Sequence, residues 1–257
     1  MVYKTIFLLF FVFIFMDAST IAYWSFENNL VSSVGGSTLT GTAQGTIGYS
    51  SNVAPTAQGN QSLYLSSSYP GSYVKMNGTT NITGNLNALT IETYVKFDLF
   101  TGTLSTIYSE DSVVRSTYLG YTNDGNYLRF FISQGSISPL VSSVEVLDVP
   151  LLLNTNQWYH IAAIFDGSAK TLSLFLDGQI IGSRSVSVST IPITSVVPTV
   201  GAWSYSQGTL PLYGHLDEMR ISDTALSSSQ FLYSAQVPEC STLIGLVLAV
   251  FFIFIKR

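Results

Sequence analysis

Between Gln157 and Ser183 the alternation of apolar and polar positions spells out three strands and their turns. Trp158 to Phe165 is apolar at every position except His160, as in a strand covered on both faces. Asp166-Gly167 opens a loop that runs to Lys170. Leu172, Leu174 and Leu176 then alternate with Thr171, Ser173, Phe175 and Asp177, the period of a sheet strand. Asp177-Gly178 predicts a type I′ hairpin turn, because both positions adopt φ > 0 at low cost, and the chain returns over Gln179 to Ser183. Further strands are predicted at Ile21 to Phe26, Leu63 to Leu65, Tyr73 to Met76, Ser105 to Ser109, Tyr118 to Tyr121, Tyr127 to Ser133, Val141 to Leu147, Thr199 to Tyr205 and Leu212 to Ile221. Leu89 to Phe97 alternates cleanly, with Leu89, Ile91, Thr93, Val95 and Phe97 on one face. The Gly/Ser/Thr-rich stretch from Ser32 to Asn60 reads as loop, and Thr224 to Phe231 is the one helical hint. Many short strands separated by turn residues define an all-β domain, a sandwich or barrel, and their number and length favour a two-sheet antiparallel jelly roll.

The two ends depart from this pattern. Lys4, the apolar run Ile6 to Met16 and the small residues Ala18, Ser19 and Thr20 predict a signal peptide over residues 1–20, with an uncleaved anchor as the alternative. Residues 21–234 form the domain. Residues 235–257 hold Pro238-Glu239-Cys240, an apolar run from Leu243 to Ile255, and the terminal Lys256-Arg257. That run, extended by Ser241 and Thr242, predicts a transmembrane helix with its basic end in the cytoplasm and the domain outside.

Composition narrows the functions. The chain has 10 basic and 15 acidic residues; setting aside Lys4, Asp17, Lys256 and Arg257 leaves seven against fourteen, a net −7 that excludes nucleic acid as a partner. Its single cysteine, Cys240, lies in the tail, so no disulfide staples the domain.

The residues carry two resemblances. Tyr23-Trp24-Ser25-Phe26-Glu27, Gln61 to Leu65 with Ser72-Tyr73-Val74, Leu89 to Lys96, Trp158 to Ala162, Leu176-Asp177-Gly178, and Gly214 to Ile221 after Gly201 together resemble, in order, the laminin G-like, concanavalin A-like jelly-roll family. That resemblance implies a module that binds glycans or proteins, or serves as an extracellular structural element; some related jelly rolls are glycosidases. It also implies a structural Ca2+ joining the opening strand to the closing one, at the matching positions Glu27 and Asp217. The tail resembles the PEP-CTERM sorting signal of bacterial exosortase substrates: Pro238-Glu239 match its motif and Cys240 replaces its second proline. This implies an exosortase-type sorting enzyme and a membrane as partners.

No catalytic constellation stands out. A retaining glycosidase needs two carboxylates about 5–5.5 Å apart. No Glu-x-Asp-x-x-Glu pattern occurs, and Glu92 has no evident partner on a neighbouring strand. The adjacent pairs Glu110-Asp111 and Asp217-Glu218 are expected to point to opposite faces of their strands. His160 reads as a hydrogen-bonded core residue and His215 as a strand-end structural one; neither accompanies a nucleophile signature. Stacking on sugars needs exposed aromatic rings. Of Tyr69, Tyr73, Tyr118, Tyr121, Trp203, Tyr205 and Tyr213, those beside turns are Tyr121, Trp203 and Tyr205, the expected ligand contacts. The sequence thus reads as an exported, non-catalytic surface or matrix protein that binds an extracellular glycan or surface protein. A purely structural or adhesive module, and a divergent polysaccharide-degrading glycosidase, are the alternatives.

Overall fold

The structure, a computed structural model, describes residues 19–36, 39–66, 71–78, 80–100, 104–111, 115–138, 141–204 and 208–233. The expected signal peptide up to residue 18, Tyr69, Tyr205 and the tail with Pro238, Glu239 and Cys240 lie outside the described residues. Among those described, no helix is long and apolar enough to cross a membrane.

Two antiparallel sheets face each other. The eight-stranded sheet runs β13 (Gln179–Ser185), β12 (Thr171–Leu176), β11 (Trp158–Asp166), β6 (Ala88–Leu99), β15 (Tyr213–Ser222), β4 (Ser62–Leu65) and β3 (Ile47–Ser50), with β1 (Thr20–Trp24) also paired to β15. The seven-stranded sheet runs β10 (Val141–Pro150), β9 (Tyr127–Ser138), β8 (Thr117–Thr122), β7 (Leu104–Ser109), β14 (Thr199–Val200), β5 (Tyr73–Met76) and β2 (Gly41–Gln44). Long connections between non-adjacent strands give the jelly-roll topology.

The alternation in the sequence decides which side chains fill the space between the sheets. Leu89, Ile91, Val95 and Phe97 of β6 meet Tyr159, Ile161, Ala163 and Phe165 of β11, and Leu119, Leu128, Phe130 and Ile132 from the facing sheet, in one continuous core. Burying each large apolar side chain contributes about 1.5–3 kcal/mol, which suffices without a disulfide. Thr93 also turns inward, where its hydroxyl donates to the carbonyl of Asp217 at 3.0 Å. The hairpin after β12 forms as expected, with Asp177 at φ 48° and Gly178 at φ 76°.

Two expectations fail at the edges. The Ser32 to Asn60 stretch holds the short strands β2 and β3, whose residues are mostly half-buried; β2 has no apolar face and β3 only Ile47 and Tyr49, so pairing to β5 and β4 supplies what alternation does not. The helical hint shrinks to a 3-10 turn at Ser228–Gln230. The surrounding segment, from Thr224 to Tyr233, crosses the outer face of the eight-stranded sheet as a strap. Its Leu226 and Phe231 pack on Ala162 and Ile164 in a second, smaller apolar cluster.

Candidate functional site

The aromatic candidates part company according to strand alternation. Tyr121 does not offer a ligand surface: it is 0 % exposed, because it follows Leu119 by two residues and therefore faces the core. Its ring lies 5.6 Å from Phe97 and 5.2 Å from Phe100, and its hydroxyl donates to the Leu151 carbonyl and accepts the Leu153 amide, both at 3.2 Å. Tyr73, Tyr118 and Tyr213 are buried as well. Trp203, half-buried, alone among the described candidates keeps open surface.

Trp203 follows β14 and lies against the end of β7, at one rim of the seven-stranded sheet. Its indole N–H donates to Asp111 Oδ2 at 2.8 Å. Asp111 is buried, which pushes its carboxyl up to about 6; the Trp203 N–H and the Arg115 guanidinium, 3.9 Å away, pull the other way. The Ser204 hydroxyl donates to the Asp111 carbonyl at 2.6 Å and stands 3.0 Å from the Ser109 hydroxyl. A half-exposed indole, an exposed Arg115 and a serine hydroxyl thus share one fixed rim. Such a set can stack on a sugar face and bond its hydroxyls.

The adjacent acids behave differently in the two places. Glu110-Asp111 obeys alternation. Glu110 turns inward, accepts the Ile82 and Thr83 amides and the hydroxyls of Thr83 and Tyr108, and is held above the usual carboxylate range by burial. Asp217-Glu218 does not. A bulge in β15, with Glu218 at φ 44°, breaks the alternation, so both carboxylates reach the loop between β3 and β4. Asp217 Oδ2 accepts the Ala54 amide at 3.1 Å and Glu218 Oε1 accepts the Gln58 amide. Glu27 Oε1 accepts the Asn60 and Gln61 amides, each at 3.1 Å. The expectation that these two acids face apart is therefore corrected, while Glu27 and Asp217, expected to lie together, hold the same loop.

Burial raises the Asp217 carboxyl to about 7, with the charges of Glu218 and Glu27 adding to the shift and the Ala54 amide opposing it. Glu218 is raised for the same leading reason. Asp217 is 1 % exposed, and its Oδ1 is buried with no hydrogen-bond partner among the described residues. No group of three or more His, Cys, Asp or Glu side chains among the described residues stands at metal-holding geometry. A cation here would draw on at most two carboxylates, with carbonyls and water completing the shell. Ca2+ accepts such a shell and the orphaned Oδ1 fits it.

Glu92 does have partners, far away in sequence. Its Oε2 lies 2.9 Å from His160 Nε2 and accepts the Leu232 amide at 2.8 Å, while Oε1 accepts from Arg220, with Nε at 2.7 Å. His160 sits under Phe231 and Tyr233 of the strap, with ring centroids 5.7 and 5.5 Å away. The histidine is thus hydrogen-bonded and buried as expected, but on the outer face beneath the strap.

Face-to-face antiparallel sheets with this strand order define a jelly-roll module of the lectin type. The chain belongs to the concanavalin A-like lectin/glucanases superfamily, whose laminin G-like profile matches residues 66–230. No curated protein matches it at the sequence level. Among solved structures it is similar to domain 4 of AbnA, a GH43 extracellular arabinanase from Geobacillus stearothermophilus, in complex with arabinotriose: TM-score 0.62 and 20% identity over 85% of this chain and 98% of that one. It is also similar to botulinum neurotoxin type C, whose cell entry is dependent upon interaction with two ganglioside molecules, at TM-score 0.59 and 13% identity over 84% of this chain and 51% of that one. The binding domain of Paraclostridial Mosquitocidal Protein 1 gives TM-score 0.60 and 11% identity, with 84% and 51% covered. The chain spans nearly all of the arabinanase domain and about half of each toxin chain. At these identities the likeness is one of fold.

Proposed function

We propose that this is a non-catalytic carbohydrate-binding module, exported to the cell surface or matrix and held there by its tail. The observation that carries the reading is Trp203, a half-exposed indole whose edge is fixed by the buried Asp111 carboxylate. A ring fixed in advance loses little freedom when a sugar stacks on it, so its contact area goes into affinity. Beside it the Arg115 guanidinium supplies donors and the Ser204 oxygen an acceptor for sugar hydroxyls. The arabinotriose complex of the arabinanase domain and the ganglioside dependence of the neurotoxin fit this reading.

The carboxylates support the non-catalytic half. Glu92, Glu110, Glu27, Asp217 and Glu218 each accept a backbone amide from a loop or from the strap. Each oxygen so engaged fastens one segment of the chain to another. The glycosidase alternative requires two carboxylates free to exchange protons with a substrate. Release of reducing ends from polysaccharide, abolished by Glu92→Gln or Asp217→Asn, would revive it.

The test of binding is calorimetric titration of the full-length chain in detergent with neutral arabino-, xylo- and cello-oligosaccharides. At least one is expected to bind, and Trp203→Ala to weaken it by about tenfold or more, the equivalent of one lost aromatic contact. Absence of heat with every sugar, or unchanged affinity in the variant, refutes the site.

Glu27 and Asp217 are the proposed side-chain ligands of a structural Ca2+ that locks the loop from Ala54 to Gln61 against β15. Millimolar calcium is expected to raise the melting temperature by several degrees, as for any ligand that binds only the folded form. Asp217→Asn should remove that response. A chelator that leaves the transition in place eliminates the metal. In the tail, Pro238-Glu239-Cys240 is the proposed motif for an exosortase-type enzyme.

A further inference from the structure

On the opposite face of the sandwich, a row of side chains runs straight across four strands of the eight-stranded sheet. Trp158 of β11 pairs with Lys96 of β6, Lys96 with His215 of β15, and His215 with Tyr64 of β4. Their chain neighbours Tyr159, Val95, Phe97, Leu216, Leu63 and Leu65 fill the core, so the four residues point outward. The strap covers the neighbouring part of this face over Ala162 and Ile164, but Tyr64 is 36 % exposed and Trp158 half-exposed.

The row is built, not scattered. The His215 ring lies between the two aromatics, 5.0 Å from Tyr64 and 5.9 Å from Trp158, tilted by 42° and 58°. Ser62 Oγ stands 3.1 Å from His215 Nδ1, and Asp98 Oδ2 3.5 Å from Nε2. Burial holds the imidazole below its ordinary pKa against the pull of Asp98. Lys96 Nζ pairs with Asp98 Oδ1 at 2.9 Å, and the Trp158 indole N–H donates to Asn52 Oδ1 at 3.1 Å. Gly48, across from Tyr64 on β3, leaves the far ring open: a β-carbon there would lie 3.6 Å from it. Serine or threonine would serve on a merely solvated sheet face. A tryptophan and a tyrosine flank the buried His215 and Lys96 and leave two stacking surfaces open, held in place by the paired polar groups between them.

We infer that this row is a second saccharide platform, one that takes an uncharged polysaccharide chain. Contacts of 5.9 and 5.0 Å through the His215 ring hold the Trp158 and Tyr64 rings within about 11 Å of each other, a spacing that suits two or three sugar rings in a row. The ammonium and carboxylate of the row cancel, and the net −7 left when Lys4, Asp17, Lys256 and Arg257 are set aside repels polyanions. The inference rests on the glycan-binding reading but on different residues.

Tryptophan emission separates the two. The chain has three tryptophans, and Trp24 is buried, so Trp203→Phe leaves Trp158 as the reporter on open surface. In full-length Trp203→Phe protein, cellohexaose or xylohexaose is expected to shift the emission saturably. Tyr64→Ala added to that variant should weaken the response about tenfold, and a trigalacturonate control should give none. Calorimetry of the unaltered chain should then count two sites and Trp158→Phe one. A Trp158 emission insensitive to every neutral sugar, with one site abolished by Trp203→Ala, overturns the second platform and leaves the first. No heat and no shift with any sugar overturns both. Emission that responds to protein concentration, or to truncation after Tyr233, shows a second copy or the tail on the row and also overturns the inference.

Discussion

Replacement of Glu92 by alanine is expected to cost about 3–5 kcal/mol of folding stability, the range for removing one partner of a buried ion pair. Three dependents lose their acceptor at once. The Arg220 guanidinium is left uncompensated, His160 Nε2 loses its 2.9 Å contact, and the Leu232 amide is left without its carboxylate. The strap then loses an anchor, although Arg220 Nη2 still donates to the Gln230 carbonyl at 2.6 Å. Glu92→Gln keeps one oxygen acceptor and should cost roughly half as much. Urea unfolding of the three proteins, compared by midpoint at constant m-value, measures both effects. A loss below about 1 kcal/mol for the alanine variant would sink the idea that this carboxylate fastens the strap.

The second large effect concerns pH. Asp217 at about 7 and Asp111 at about 6, with Glu110 and Glu218 also raised, all hold protons more tightly folded than unfolded, chiefly because they are buried. Between their ordinary values, 3.8 for Asp and 4.5 for Glu, and the raised ones, the native protein binds more protons than the unfolded chain. Their contribution is present below the ordinary values and is lost as pH rises through the raised ones. His215, lowered by burial, acts in the opposite sense below its ordinary 6.5, one group against four. In chelator the melting temperature should therefore fall by about 5–10 °C from pH 5 to pH 8, as steps of one to a few kcal/mol produce in a domain of this size. Asp217→Asn should flatten most of the slope, and calcium should do the same by replacing the proton with a cation. A melting temperature that rises over this interval would rule out buried, proton-binding carboxylates at these positions.

Much of the architecture was legible as alternation. Leu89 to Phe97 and the segment around Asp177-Gly178 state their faces and their turn in local residues, and both fold accordingly. Tyr121 shows the limit of reading by neighbourhood. Proximity to Asn123-Asp124 pointed to a surface, but its two-residue spacing from Leu119 was the stronger signal. The loop-like stretch before Asn60 hid β2, which has no apolar face, and β3, whose two apolar residues Ile47 and Tyr49 are too few to show a period. The pairing of Asp217 with Glu218 was hidden by a bulge, which no periodicity announces. Glu92 met partners 68 and 128 residues away, and the row from Trp158 to Tyr64 exists only through the register of four strands distant in sequence.

The strap has a mechanical consequence. Tension on the chain beyond Tyr233 meets the Leu232 amide clasped by Glu92 and the Gln230 carbonyl clasped by Arg220. These clasps stand on β6 and β15, inside the eight-stranded sheet. Load thus enters the middle of the sandwich, where neighbouring strands on both sides share it, and does not peel an edge strand away.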